Sequence, residues 1–412
     1  MRVAVFTNKF PGHTSSFFAR DMRALIAAGV EVDIFPFYPL DPTLWRFVPA
    51  LLDESVLSRD RVHHIDLRAA LRAPPRAVVR RLLPATREAL ALGAASLRYG
   101  VEMPMQVGYV GLKAWAWSLE QHGPFDHILA YWGNHAATCA ALFHRLTDPT
   151  VPFSMIVHAR MDLYRRPAGL ARKMLYADNV FIVCEFNRRY LAAHYPAVFA
   201  RLAPKLRLHH IGLDLRSLAF TPEPRPPATV IAVGRLEPLK GFVQLLHAIQ
   251  LVRRRGVPVV LEVVGGGEQE AELRALAARL ELASHVVFRG WIAPDEVPEA
   301  IRGATVLAHA SVELDAMPTV LKEAIAVGTP VIASDLAGAP EIVDQGRAGI
   351  LVPPGDVLAL ADAIVALINS PAKRRALAGA GRRHAEATFD LWTNGRRLAD
   401  ALRATPRRTP EA

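Results

Sequence analysis

The sequence predicts an α/β chain of two domains, each a parallel sheet wound with helices on both faces. Three observations carry this. Short, near-continuous apolar runs alternate with helix-period segments in each half, as buried parallel strands and their crossover helices do. A proline-rich stretch, T-P-E-P-R-P-P at 221–227, separates the halves, and the pattern then restarts. At 412 residues the chain also exceeds one ordinary core and should divide into units of roughly 150–200 residues.

In the first half, strands are expected at 2–7, 30–37, 127–131, 153–157 and 180–184. Helices are expected at about 15–28, with Gly29 as the stop, and at 134–146 and 187–194. In the second half the strands fall at 229–233, 259–264, 286–288, 305–308, 330–333 and 350–352, with helices at 242–255, 269–280, 320–327 and 358–368. Ligands of such open sheets bind at the carboxyl ends of the strands, so two of them would face a common cleft. Residues 41–123 break the rhythm as a basic insertion: nine Arg stand against Asp60, Asp66 and Glu88 between 59 and 98. Val78, Val79, Leu82 and Leu83 interleave there with Arg76, Arg80 and Arg81, a short basic amphipathic helix. It reads either as a solvated face or as a dock on an anionic membrane leaflet.

Charge and cysteine content narrow the class. A net charge of +10 permits phosphorylated substrates, anionic membranes or nucleic acid. The basic segment lacks a nucleic-acid recognition signature, so no nucleic acid is expected. Cys139 and Cys184 form no disulfide framework or metal spacing, which favours a reducing cytoplasm. No apolar run reaches the ~18–20 residues of a spanning helix, so the expectation is a cytoplasmic protein, either free or at the inner face of the cell membrane.

The chemistry concentrates in V-E-L-D-A-M-P-T-V-L-K-E-A-I at 312–325. It sets Asp315 and Glu323 around a turn that opens a helix, with Pro318 suited to the first helical position. Backbone N–H groups at such a terminus attract phosphate, and a carboxylate beside it must accept from something else, sugar hydroxyls being the natural donors. V-G-R-L-E-P-L-K-G-F at 233–242 places Arg235 and Lys240 in the loop after a strand, where two cations neutralise a diphosphate and Gly234 and Gly241 let backbone approach. The contiguous Gly265, Gly266 and Gly267 lack a dinucleotide fingerprint and read as a tight turn near a base. His158 ends an apolar strand and is either a cleft residue or a structural hydrogen bonder. Gly12, with Thr14 and Ser15, is either an ordinary turn or a close approach to ligand.

Taken in order, Arg235 with Lys240, Asp315 with Glu323 and Ala324, A-G-A-P-E at 337–341 and L-V-P-P-G-D at 351–356 resemble the family-four retaining glycosyltransferases of GT-B fold. S-x3-H-A-x2-D-L-Y at 154–164 and V-C-E-F-N-R-R-Y-L at 183–191 are similar to the colanic-acid and exopolysaccharide branch. The resemblance implies two Rossmann-like doubly wound domains facing a cleft. Residues 1–215 would bind acceptor and 228–387 the nucleotide-sugar donor; a helix over 388–405 would pack back on the first domain, before a tail at 406–412. It implies that Arg235 and Lys240 hold the donor diphosphate, that Glu323 accepts from the ribose, and that Asp315, one methylene shorter than the usual glutamate, contacts the transferred sugar. Backbone N–H groups of Met317, Thr319 and Val320 would reach the sugar or phosphates, with Gly12, Gly234 and Gly266 close by. His158 would contact the sugar from the opposite domain.

The expected activity is transfer of a sugar from a UDP- or GDP-linked donor to a glycan or polyprenyl-linked acceptor, with retention implied by the resemblance. No D-x-D triplet occurs, so a metal-independent mechanism without a separate cofactor is expected. A sugar-nucleotide epimerase or phosphorylase on the same architecture, and a non-catalytic basic binding protein, are the rival classes.

Overall fold

The computed structural model describes residues 1–11, 16–38, 57–65, 74–76, 78–79, 81–82, 86–87, 90, 102–120, 122–165, 169–222 and 228–409, without the side chains of 102–107 and 160–161. The chain forms two units, Met1–Val183 with Asn187–Gly212 and Leu391–Ala412, and Cys184–Phe186 with Leu213–Asp390.

The first unit carries a six-stranded parallel sheet of β1 (Arg2–Thr7), β2 (Glu31–Pro36), β3 (His127–Ala130), β4 (Phe153–Val157), β5 (Asn179–Ile182) and β6 (Leu206–Leu208), in the order β2-β1-β3-β4-β5-β6. Five strands are expected from sequence; β6 is the addition. It has three residues at the sheet edge, and Arg207 and Leu208 are exposed, so no apolar run announces it. Aromatic rings fill the core between strands and helices: Phe6 stacks on Phe35 at 4.8 Å, and Trp117 meets both edge-on.

At the amino end of β2, Asp33 is buried yet charged. Burial alone would raise its pKa. His63 Nε2 at 2.7 Å and Arg2 Nε and Nη2 at 2.8 and 2.9 Å outweigh this and bring it to about 2. A carboxyl depressed on folding stabilises the protein above its unfolded pKa, and that stability is lost as pH falls through the folded value. The shift from 3.8 corresponds to about 2 kcal/mol, so the urea midpoint should decline between pH 4 and about pH 2. Asp33→Asn should flatten this decline; an unchanged slope would refute the assignment.

The second unit holds β7 (Thr229–Val233), β8 (Val260–Val264), β9 (Val286–Gly290), β10 (Val306–His309), β11 (Val331–Ser334) and β12 (Ile350–Val352), in the parallel order β12-β11-β10-β7-β8-β9. All six are expected from sequence. Val230 and Ala232 join one core and Ile231 the other, so both faces of β7 are buried, which is why the strands read as continuous apolar runs. Leu213, Leu215 and Phe389 pack in that second core, which draws the unit boundaries to 212/213 and 390/391 rather than the expected 215–228 and 387/388.

The helix Pro371–Thr388 is absent from the sequence reading because R-R-A-L-A-G-A-G-R-R-H has no wide apolar stripe. It docks through Arg374, whose Nη1 donates to the carbonyls of Leu367 and Ile368 at 2.6 and 2.7 Å and so caps the helix Val357–Ile368. The helix Leu391–Arg403 lies on Ser16–Ala27 in the first unit. A Cβ on Gly395 would stand 2.4 Å from that of Ala24. In the segment read as a tail, Arg408 bonds Asp178 at 2.9 Å and the Tyr176 carbonyl at 2.6 Å.

Of the basic insertion, residues 75–76, 78–79 and 81–82 are helical, with Val79 and Leu82 exposed. Arg80, Leu83 and most of 41–101 lie outside the described residues, as do Gly12, Thr14, Ser15, 223–227 and 410–412. Among the described residues no helix is long and apolar enough to cross a membrane.

Candidate functional site

In the second sheet the winding reverses between β7 and β10, the first and fourth strands of that sheet in sequence order. The crevice beyond such a switch point is where open α/β sheets bind ligand, and the loops leaving these two strands carry most of the candidate residues.

The loops brace one another through backbone. Gly234 N donates to Val264 O at 3.0 Å, Leu236 N to Gly266 O at 3.0 Å, and Val312 N to Leu239 O at 2.9 Å. Gly241 closes the loop after β7 with φ +68°, and a Cβ there would stand 1.9 Å from the Ala310 carbonyl oxygen. Strain and overlap together should make Gly241→Ala cost about 2–3 kcal/mol. Thermal unfolding reads this, and an unshifted melting temperature would count against the packing described. Gly266 abuts Trp291, whose Nε1 a Cβ would approach to 2.6 Å.

Bracing brings distant charges together. Lys240 Nζ lies 2.5 Å from Asp315 Oδ2, across 75 residues of sequence. His309 Nε2 lies 3.5 Å from the same oxygen and 3.3 Å from Ser311 Oγ. Burial would raise the Asp315 pKa, but the charge of Lys240 and the hydrogen bond from His309 hold it well below the usual carboxylate range. Burial pushes His309 below its ordinary value, despite Asp315. Arg235 is more exposed and pairs with Glu237 at 2.5 Å.

The helix Thr319–Val327 begins beside this pair. Pro318 is not its first residue, as the sequence reading has it, but the position before, with ψ 115°. The first bond of the turn is donated by Leu321 to Pro318 O at 3.2 Å, so the N–H groups of Met317, Thr319 and Val320 precede the helical ladder. The helix is buried well beyond the expected Leu321, Ala324 and Ile325. Lys322 and Glu323 are buried too. Asp356 of the later motif caps a helix, accepting Ala359 N at 2.9 Å.

His158 belongs to the first unit, after β4. Its Nε2 lies 2.8 Å from the Tyr131 carbonyl, an acceptor, so Nε2 holds the proton and Nδ1 is left as an acceptor. Burial lowers its pKa in spite of Asp162. Asp162 accepts Gly133 N, His158 N and Ala159 N at 3.1, 2.9 and 2.9 Å, tying the loops after β3 and β4.

Sequence reasoning missed His309, Glu237 and the clamp of Asp162. His309 carries the signal that marks His158: a polar residue closing an apolar strand, V-L-A-H beside F-S-M-I-V-H.

Residues 217–384 match the family model described as glycosyl transferases group 1. Over 272 residues the chain is 33% identical to the GDP-mannose-dependent alpha-(1-6)-phosphatidylinositol monomannoside mannosyltransferase of Mycobacterium tuberculosis, covering 61% of this chain and 67% of that protein. The chain belongs to the group 1 glycosyl transferase family. The first mycobacterial relatives are matched over 62 and 67% of their own length. The amylovoran biosynthesis glycosyltransferase AmsK of Erwinia amylovora is 24% identical over 98% of this chain and 99% of its own. The crystal structure of Anabaena Alr3699/HepE in complex with UDP-glucose shares the fold, with a TM-score of 0.67 and 19% identity over 98% of this chain and all of that one. The group 1 match covers every candidate residue of the second unit, from Gly234 to Glu323.

Proposed function

We propose that this group 1 glycosyl transferase moves a sugar from a nucleoside-diphosphate donor to a hydroxyl of a glycan or lipid-linked acceptor, in polysaccharide or glycolipid biosynthesis. One observation carries the reading: Lys240 and Asp315 meet at the switch point of the second sheet, beside a helix amino terminus. Lys240 and Arg235 stabilise the diphosphate as it leaves, and the N–H groups of Met317, Thr319 and Val320 meet its oxygens or those of the sugar. Gly234 and Gly266 line the approach. Asp315 accepts from the transferred sugar and Glu323 from the ribose.

The donor carries guanine or uracil; the mycobacterial relative is named for GDP-mannose and the Anabaena structure holds UDP-glucose. His158 and Gly12 enter through the family resemblance. Transfer with retention needs no protein nucleophile if the departing diphosphate takes the acceptor proton on the same face, leaving the protein to position and to stabilise charge. The cations at 235 and 240 fill the place of a metal, and no further cofactor is invoked. The arginine-rich stretch between 59 and 98 supports docking at an anionic, cytoplasmic membrane face.

Incubation with a panel of UDP- and GDP-sugars tests the reading through slow donor hydrolysis and thermal protection. One donor should stand out. Glu323→Ala should weaken its binding about 10–100-fold, the worth of a hydrogen bond to a charged group. Hydrolysis of none of the panel, or full affinity in the variant, would overturn the assignment.

A further inference from the structure

Both cations of the loop after β7 are paired with carboxylates before any ligand arrives, and Glu313 adds a further carboxylate in the loop after β10. Lys240 is matched by Asp315 at 2.5 Å and Arg235 by Glu237 at 2.5 Å. His309 completes the group from the end of β10. It is 6% exposed, and its Nε2 faces Asp315 Oδ2 at 3.5 Å and Ser311 Oγ at 3.3 Å. Because the carboxylate can only accept, Nε2 carries the imidazole proton. Nδ1 is buried without a hydrogen-bond partner among the described residues. The charged groups that act on the ring are Asp315 and Lys240.

A diphosphate upsets this balance. It brings several negative charges, and the lysine it attracts is the one that neutralises Asp315. A largely desolvated carboxylate stripped of its cation is costly, so a proton should be taken up. Two groups can receive it, Asp315 and His309. Imidazole has the higher intrinsic affinity for protons by roughly 2–3 units and so receives it first.

We propose that His309 is a further residue of the diphosphate site, gaining a proton at Nδ1 when the ligand engages Lys240 and becoming the counter-ion of Asp315. This rests on the donor reading above. The balance is simple: protein, nucleoside diphosphate and one proton from solvent combine without a covalent change. Neutral in the free protein, His309 is driven towards the cation by both the added phosphate charge and the loss of Lys240's field. Uptake of a proton on binding means that affinity falls as pH rises, between the ring's value in the free protein and its higher value in the complex.

Calorimetry of UDP and of GDP binding to the full chain, in buffers of different ionisation enthalpy at pH 6.5 and 7.5, counts the protons. The wild type should take up a measurable fraction of a proton beyond that taken up by His309→Leu and His309→Gln, whose residual uptake reports the phosphate alone. Its affinity should fall more steeply with pH than theirs, by up to about tenfold per pH unit. A purely structural histidine would alter melting temperature in the variants but leave the proton count equal, and equal counts would overturn the proposal. Should the nucleotides bind through Lys240 with no excess proton, only this inference falls. If neither binds the wild type, the donor reading falls and takes it along.

Discussion

Lys240→Ala should lower sugar transfer by about 10²–10³-fold, the loss typical when one preorganised group that stabilises developing charge is removed. The expectation follows from position. Lys240 ends the loop that Val312 and Gly241 brace against the segment after β10, so its ammonium is held at the switch point rather than swinging in solvent. Arginine should rescue poorly, because a planar fork cannot occupy the place of a compact ammonium 2.5 Å from Asp315. Steady-state transfer with the donor identified by the panel measures the effect. A variant that retains the wild-type rate would remove Lys240 from the machinery.

Asp162→Ala should destabilise the first unit by about 3–5 kcal/mol. Its carboxylate is 1% exposed and accepts three backbone N–H groups from two loops. An orphaned buried donor costs about 1–3 kcal/mol, and partial rehydration recovers some of the total. For a unit of this size that is a fall of roughly 10 °C in melting temperature. Asp162→Asn keeps one strong acceptor oxygen and should recover part of the loss. An unshifted melting curve for the alanine variant would show that the loops after β3 and β4 are held by something else.

The legible part of the chain was its buried, local part. β1 and β7 are readable because both faces of their sheets are covered, which forces apolar residues at successive positions. The loop from Gly234 to Gly241 is readable from its flanks: an apolar strand ends, Arg235, Glu237 and Lys240 follow, and a helix starts. β6 escaped because an edge strand of three residues has half its surface in water and needs no apolar run. The helix Pro371–Thr388 escaped because the face it buries consists of Arg374 and the small residues Ala378, Gly381 and Ala385 rather than large apolar side chains. Pro318 stands one residue before the helix rather than at its first position, because its ψ of 115° is extended, a conformation that its fixed φ of −57° permits.

By itself the sequence determined which residues could lie in strands and which loops carried cations and carboxylates, and it made an anion and hydroxyl groups the ligands to expect. Only the tertiary structure decided that β10 lies beside β7, and hence that Lys240 meets Asp315 and that His309 joins them. The reason is physical. Side-chain periodicity is set within a few residues by backbone geometry, whereas strand order is set by how crossover helices pack on a whole sheet. That packing energy is shared among many apolar contacts, and no single residue records it.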